Sequence, residues 1–155
     1  HVRSRRQRQM CIRDRARHPP ISAPDDLHGE WLLHDGSAWD GADTYEEWQH
    51  WFAQRGATPP PWAGGQQFNL SQLALGAALA GQGIAMGRAA LVLQDVKAGR
   101  LVPLLGHSVP SRAAYSFVTT THPSPAMELV REWLVQEAQR FCAERSEVLP
   151  PLASP

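Results

Sequence analysis

Along residues 31–105, short apolar runs alternate with longer runs of helical periodicity, and this alternation constrains the fold more than any other feature. Trp31-Leu32-Leu33-His34 is too short for a helix and stops at Asp35-Gly36, so it reads as a buried strand. Thr44-Tyr45-Glu46-Glu47 has the form of a capping box, with Thr44 as N-cap and Glu47 at N3. Tyr45, Trp48, Trp51 and Phe52 follow at helical spacing, and Gly56 ends that helix. Residues 66–69 read as a strand. Residues 70–80 are apolar almost all round, which predicts a helix buried on several sides, capped by Asn69 or Ser71 and closed by Gly81 or Gly83. Ile84-Ala85-Met86 is a second buried strand, residues 88–97 a helix closed by Gly99, and residues 101–105 a strand that Pro103 assigns to an edge. Residues 114–121 are β-branched and aromatic and read as a further strand. Ser124 and Pro125 then open a last helix, whose stripe is Met127, Val130, Trp133, Leu134, Ala138 and Phe141. Strands and helices in this order predict an α/β fold with a mainly parallel sheet. Such sheets hold their ligands at the carboxyl ends of the strands.

The formal net charge is zero over 155 residues, but the zero is composite. Residues 1–15 carry six Arg against Asp14, a net +5, whereas the other 140 carry nine basic and fourteen acidic residues, a net −5. A generally basic nucleic-acid surface is therefore excluded for the body. The arm shows no periodicity in its apolar residues and reads as disordered and non-native, resembling translated adapter sequence. Its other reading is a nucleic-acid or localisation tail, since arginine-rich runs bind phosphates non-specifically. Cys11 and Cys142 cannot make a disulfide framework and read as free thiols. No apolar run approaches the roughly 20 residues a membrane span needs.

Chemistry-bearing patterns are sparse. There is no GxSxG elbow, no GxxxxGK[ST] phosphate loop and no complete GxGxxG, and the histidines lack compact metal-ligand spacing. These patterns call for no catalytic residue, no metal and no cofactor. His34-Asp35 at a strand end leaves a small hydrolase as a minor reading. The most informative segment is Phe68-Asn69-Leu70-Ser71, which puts small polar residues where a strand ends and a helix begins. Free N–H groups and the helix dipole make such a point a carboxylate site, unless Asn69 and Ser71 merely cap the helix. Arg88, just after the strand at residues 84–86, is either a charged partner for a ligand carboxylate or a solvated arginine at a helix start.

The ordered set Leu32-Leu33-His34-Asp35, Trp48-x-x-Trp51, Phe68-Asn69-Leu70-Ser71-Gln72-Leu73-Ala74-Leu75-Gly76-Ala77-Ala78 and Gly81-Gln82-Gly83-Ile84-Ala85-Met86-Gly87-Arg88 resembles the effector-binding domain of LysR-type transcriptional regulators, in its glycine-cleavage-activator subgroup. Ala98-Gly99-Arg100-Leu101-Val102 and Glu132-Trp133-Leu134 extend the resemblance, which covers about residues 17–144. It implies a periplasmic-binding-protein-like (type 2) architecture in which one lobe is complete and the other is not. Residues 16–30 would end the first lobe, 31–111 form the second, 112–145 return to the first, and 146–155 make a disordered tail. The chain would then be a carboxy-terminal fragment of a cytoplasmic regulator. A small-molecule effector, a carboxylate among the candidates, would bind between the lobes. The ligand-binding residues so implied are Phe68, Asn69, Leu70, Ser71, Met86 and Arg88. DNA would be met only through an N-terminal domain outside this chain, the full-length protein would be a homo-oligomer, and no membrane would be involved. The alternative is a lobe of a transport-type solute-binding protein, which shares the fold.

Overall fold

The computed structural model describes residues 5–11, 19–62, 64–112, 115–149 and 151. Its elements are β1 (Arg5–Cys11), β2 (Leu32–Asp35), α1 (Glu46–Gln54), β3 (Gln66–Phe68), α2 (Ser71–Leu79), β4 (Ile84–Arg88), α3 (Ala89–Lys97), β5 (Leu101–Pro103), β6 (Val109–Pro110) and α4 (Pro125–Val148). Two short 3-10 turns, Pro24–Asp26 and Gly29–Trp31, lead into β2.

The strands form one sheet in the order β3-β2-β4-β1-β5, with β6 also on β1. β2 runs parallel to both neighbours, pairing Leu33 with Gln66 and with Ala85. β1 is antiparallel to β4, β5 and β6, so it alone runs against the other five. The α/β fold and the mainly parallel sheet thus match the expectation, and β5 lies at an edge as Pro103 requires.

Alternation along the central strands sends side chains to two cores, since successive strand residues face opposite ways. Leu32, Ile84 and Met86 meet Trp48, Trp51 and Phe52 of α1, together with Leu27, Leu104 and Val109. Leu33 and Ala85 face the other way, onto Ala74, Leu75, Ala77 and Ala78 of α2 and onto Val92 and Leu101. Both faces of β2 and β4 are therefore covered, which is why these strands read as unbroken apolar runs.

Several local expectations are corrected. Arg5–Cys11 is a strand within the sheet and not a disordered arm. An open slot between β4 and β5 is filled through backbone hydrogen bonds, which leave no trace in hydrophobic periodicity. The capping box at Thr44 does not form: no side chain caps α1, Glu47 is buried, and Glu46 reaches back to accept from the Asp43 N–H at 3.2 Å. Neither Asn69 nor Ser71 caps α2; Leu70 holds the N-cap position with no side-chain bond. α2 is buried on one face only, through Ala74, Leu75, Ala77 and Ala78, while Leu73 and Gly76 are exposed. Residues 115–120 form no strand beyond a single β-bridge at Tyr115, and Tyr115, Phe117 and Val118 lie exposed. β propensity measures fit to neighbouring strands, and among the described residues this segment makes no pairing beyond the one bridge at Tyr115.

α4 begins as expected, with Ser124 Oγ accepting from the Met127 N–H at 3.3 Å and Pro125 in the first turn. Among the described residues its core contacts come from the carboxyl end: Phe141 and Val148 join Ala89, Leu93 and Leu149, and Lys97 pairs with Glu144. The helix therefore runs through the first residues of the expected tail, because Val148 and Leu149 find an apolar surface on α3. Of the predicted stripe, Val130 and Trp133 stand exposed, alongside Leu129 and Val135.

Candidate functional site

Parallel register sets the carboxyl ends of β2 and β3 side by side, with Asp35 opposite Phe68. The Gly36 N–H donates to Phe68 O at 2.8 Å and closes the two strand ends together. Immediately beyond them opens a cleft of about 530 Å³, lined by Gly36, Ser37, Thr44, Gln67, Phe68, Asn69 and Leu73. Its position is the one a parallel sheet offers a ligand, where strands end and helices begin.

The start of α2 forms part of this cleft. Leu70 is extended (φ −144°, ψ 134°), and its carbonyl accepts from the N–H groups of both Leu73 and Ala74. The N–H groups of Ser71 and Gln72 lie ahead of those bonds, in the first turn, where a helix has no internal acceptors to offer. Because no side chain caps them, they keep their capacity for an outside acceptor, and the helix dipole favours a negative one. Asn69 is exposed and Ser71 half-buried beside them. Nearby, Gln67 is held by a bond from its Nε2 to the Tyr45 hydroxyl at 3.0 Å.

The structure divides the candidate residues. Phe68 and Asn69 line the cleft, joined by Leu73 of the first turn of α2. Leu70 and Ser71 flank it on the same strand-to-helix junction. Met86 does not reach it; it is buried in the core against α1. Arg88 does not line it either, for its guanidinium donates to Ala38 O and lies 3.7 Å from the Asp35 carboxylate. The sequence reading missed Gly36, Ser37, Thr44, Gln67 and Leu73. The signal for the first four was the turn after Asp35 and the polar alternation of β3, both of which looked like ordinary connection.

His34 is fully buried and is not among the cleft residues. Tyr45, Trp48 and Trp62 surround its ring at centroid distances of 4.9, 6.5 and 5.9 Å. A Cβ on Gly65 would come 2.5 Å from its Nε2, so glycine is what allows the loop to pass over the ring. As neighbours on a strand, His34 and Asp35 face opposite sides of the sheet, which removes the geometry a shared hydrolytic role would need. Burial disfavours the charged imidazolium and lowers the His34 pKa from 6.5 to about 4. Below pH 6.5 the unfolded chain takes up a proton that the folded chain refuses. Stability is therefore expected to fall as pH drops from 6.5 to about 4, then to level off. The loss is about 2 kcal/mol after the full shift is discounted for screening. Urea denaturation from pH 7 to pH 4 checks this, and His34→Leu should flatten this part of the curve.

Among the described residues no His, Cys, Asp or Glu group is arranged to hold a metal ion, and no helix is long and apolar enough to cross a membrane. Cys142 is a free, exposed thiol.

Comparison with known proteins bears on the family and the fold. The transcriptional regulator DsdC of Escherichia coli K12 is 34% identical over 110 residues, which are 70% of this chain and 35% of that protein. The glycine cleavage system transcriptional activator of the same organism is 31% identical over 123 residues, 77% of this chain and 37% of that protein. The chain thus spans about a third of the length of these curated relatives. The effector domain of the regulator AmpR of Pseudomonas aeruginosa superposes with a TM-score of 0.63 at 22% identity, covering 92% of this chain and 65% of that one. That likeness places the fold in the periplasmic-binding-protein-like α/β class. The family model of the LysR substrate binding domain matches residues 4–139, a span that begins well before residue 17, where the resemblance read from motifs starts. With most of its length so matched, the chain belongs to the LysR substrate-binding domain family.

Proposed function

We propose that this chain is the effector-sensing part of a longer, cytoplasmic DNA-binding transcription regulator, and that a small carboxylate is received at the first turn of α2. The observation that carries this reading is the uncapped start of α2, which opens onto a cleft at the carboxyl ends of two parallel strands. The N–H groups of Ser71 and Gln72 meet the carboxylate, Asn69 and Ser71 add side-chain bonds, and Phe68 and Leu73 cover the apolar part of the ligand. Binding biases the arrangement of this lobe against the rest of the effector domain, and the longer protein transmits that bias to its DNA contacts. The full-length protein works as a homo-oligomer, and its DNA contacts lie outside these residues. The regulator relatives favour this reading over a transport-type binding lobe.

In the full-length regulator, Asn69→Ala combined with Ser71→Ala is expected to weaken the effector response about tenfold or more, the cost of roughly one to two hydrogen bonds to a charged group. A reporter dose–response curve measures this. An unchanged midpoint would mean that the effector binds elsewhere.

A further inference from the structure

The cleft wall opposite α2 is the turn after β2, and three consecutive residues of that turn are each tied once. The Gly36 N–H donates to Phe68 O, the Ser37 N–H donates to Asp35 Oδ1 at 3.0 Å, and Ala38 O accepts from Arg88 Nη2. Two of these ties run through the Asp35–Arg88 pair. Asp35 is only 3% exposed and Arg88 19%, so both have given up much of their water. A buried carboxylate left without its counter-charge is costly, which commits the Arg88 guanidinium to Asp35 and to the Ala38 carbonyl. The parallel β2–β4 pairing, with Leu32 opposite Ile84 and Leu33 opposite Ala85, brings the carboxyl ends of the two strands together, and there the Asp35 and Arg88 side chains meet.

We infer that Arg88 is a positioning residue, which with Asp35 clamps the turn Gly36-Ser37-Ala38 as a wall of the cleft and does not itself meet the ligand. This rests on the reading of the cleft given under Proposed function. It assigns the ligand's charge to the start of α2, and it makes the shape of the wall depend on a residue outside the site.

The test uses the 155-residue chain and fluoroacetate as a carboxylate probe, followed by 19F line broadening, with amide hydrogen exchange read in parallel. Arg88→Met is expected to speed exchange at Gly36 and Ser37 about tenfold or more, to leave Ala77 and Ala78 of α2 unchanged, and to weaken fluoroacetate about tenfold. Arg88→Lys, whose ammonium still reaches a carbonyl and a carboxylate, should restore both readouts to within about threefold. If Arg88→Met fails to fold, Arg88→Gln, which keeps a donor, should show the same paired changes at smaller size. Weakened binding with unchanged exchange at Gly36 and Ser37 would make Arg88 a direct ligand contact and overturn the inference. Faster exchange with unchanged binding would overturn it too, because the wall would then not shape the site. If the parent chain binds no fluoroacetate, the carboxylate reading fails, and the exchange measurement alone decides whether the clamp exists.

Discussion

Trp48→Ala is expected to lower the free energy of unfolding by about 3–5 kcal/mol, the range for removing a large aromatic side chain from a close-packed core. Trp48 is fully buried at the centre of the α1 face, and its Nε1 donates to Leu33 O at 3.0 Å. It therefore joins helix to sheet in two ways, by filling volume against Leu32, Ile84 and Met86 and by donating to a β2 carbonyl. Trp48→Phe separates the two, since it keeps most of the volume and should cost only about 1–3 kcal/mol for the lost hydrogen bond and the smaller ring. Urea denaturation of both variants gives the comparison. A loss below about 1 kcal/mol for Trp48→Ala would mean that α1 is not docked as described.

Gly83→Ala is expected to destabilise the fold by about 2–3 kcal/mol through overpacking. A Cβ there would lie 2.5 Å from Trp31 O and 3.1–3.2 Å from the Leu33 side chain. Trp31 O belongs to the backbone that enters β2, so relief requires shifting the central strand rather than turning one side chain. Gly76→Ala is the control of opposite sign. A Cβ on Gly76 would meet nothing within 4 Å, and the substitution should stabilise by up to about 1 kcal/mol through the better helix propensity of alanine. Thermal unfolding should thus move in opposite directions for two glycine-to-alanine changes seven residues apart.

What the sequence disclosed follows from where side-chain patterning carries the information. β2 and β4 were legible because strands covered on both faces must be apolar throughout, and Leu32-Leu33 and Ile84-Ala85-Met86 are. α1 was legible from Trp48, Trp51 and Phe52, although its start was misplaced. A capping box is only a spacing of residue types, and here Glu47 is drawn into the interior while Glu46 turns back to Asp43. β1 was illegible because its pairing is a property of backbone groups. Of the strand expected at 114–121, the described residues keep only a bridge at Tyr115, for the converse reason: the composition suits a longer ladder than they supply. At the cleft, Phe68 and Asn69 were found through the strand-to-helix junction, which is local. Arg88 and Met86 could not be assigned locally. Whether an arginine at a strand end meets a ligand or a neighbouring carboxylate depends on the β2–β4 register, and whether Met86 faces cleft or core depends on the direction of one side chain across the sheet.

The central claim is that a small carboxylate binds where α2 begins. Amide chemical shifts of the isotopically labelled chain, followed as fluoroacetate is added at constant ionic strength and pH 7, test it most directly. The account predicts saturable shifts concentrated at Ser71 and Gln72 and extending to Gly36, Ser37 and residues 67–69, with the amides of α3 and α4 unmoved. Shifts that fail to saturate, or that saturate away from the start of α2, would contradict it.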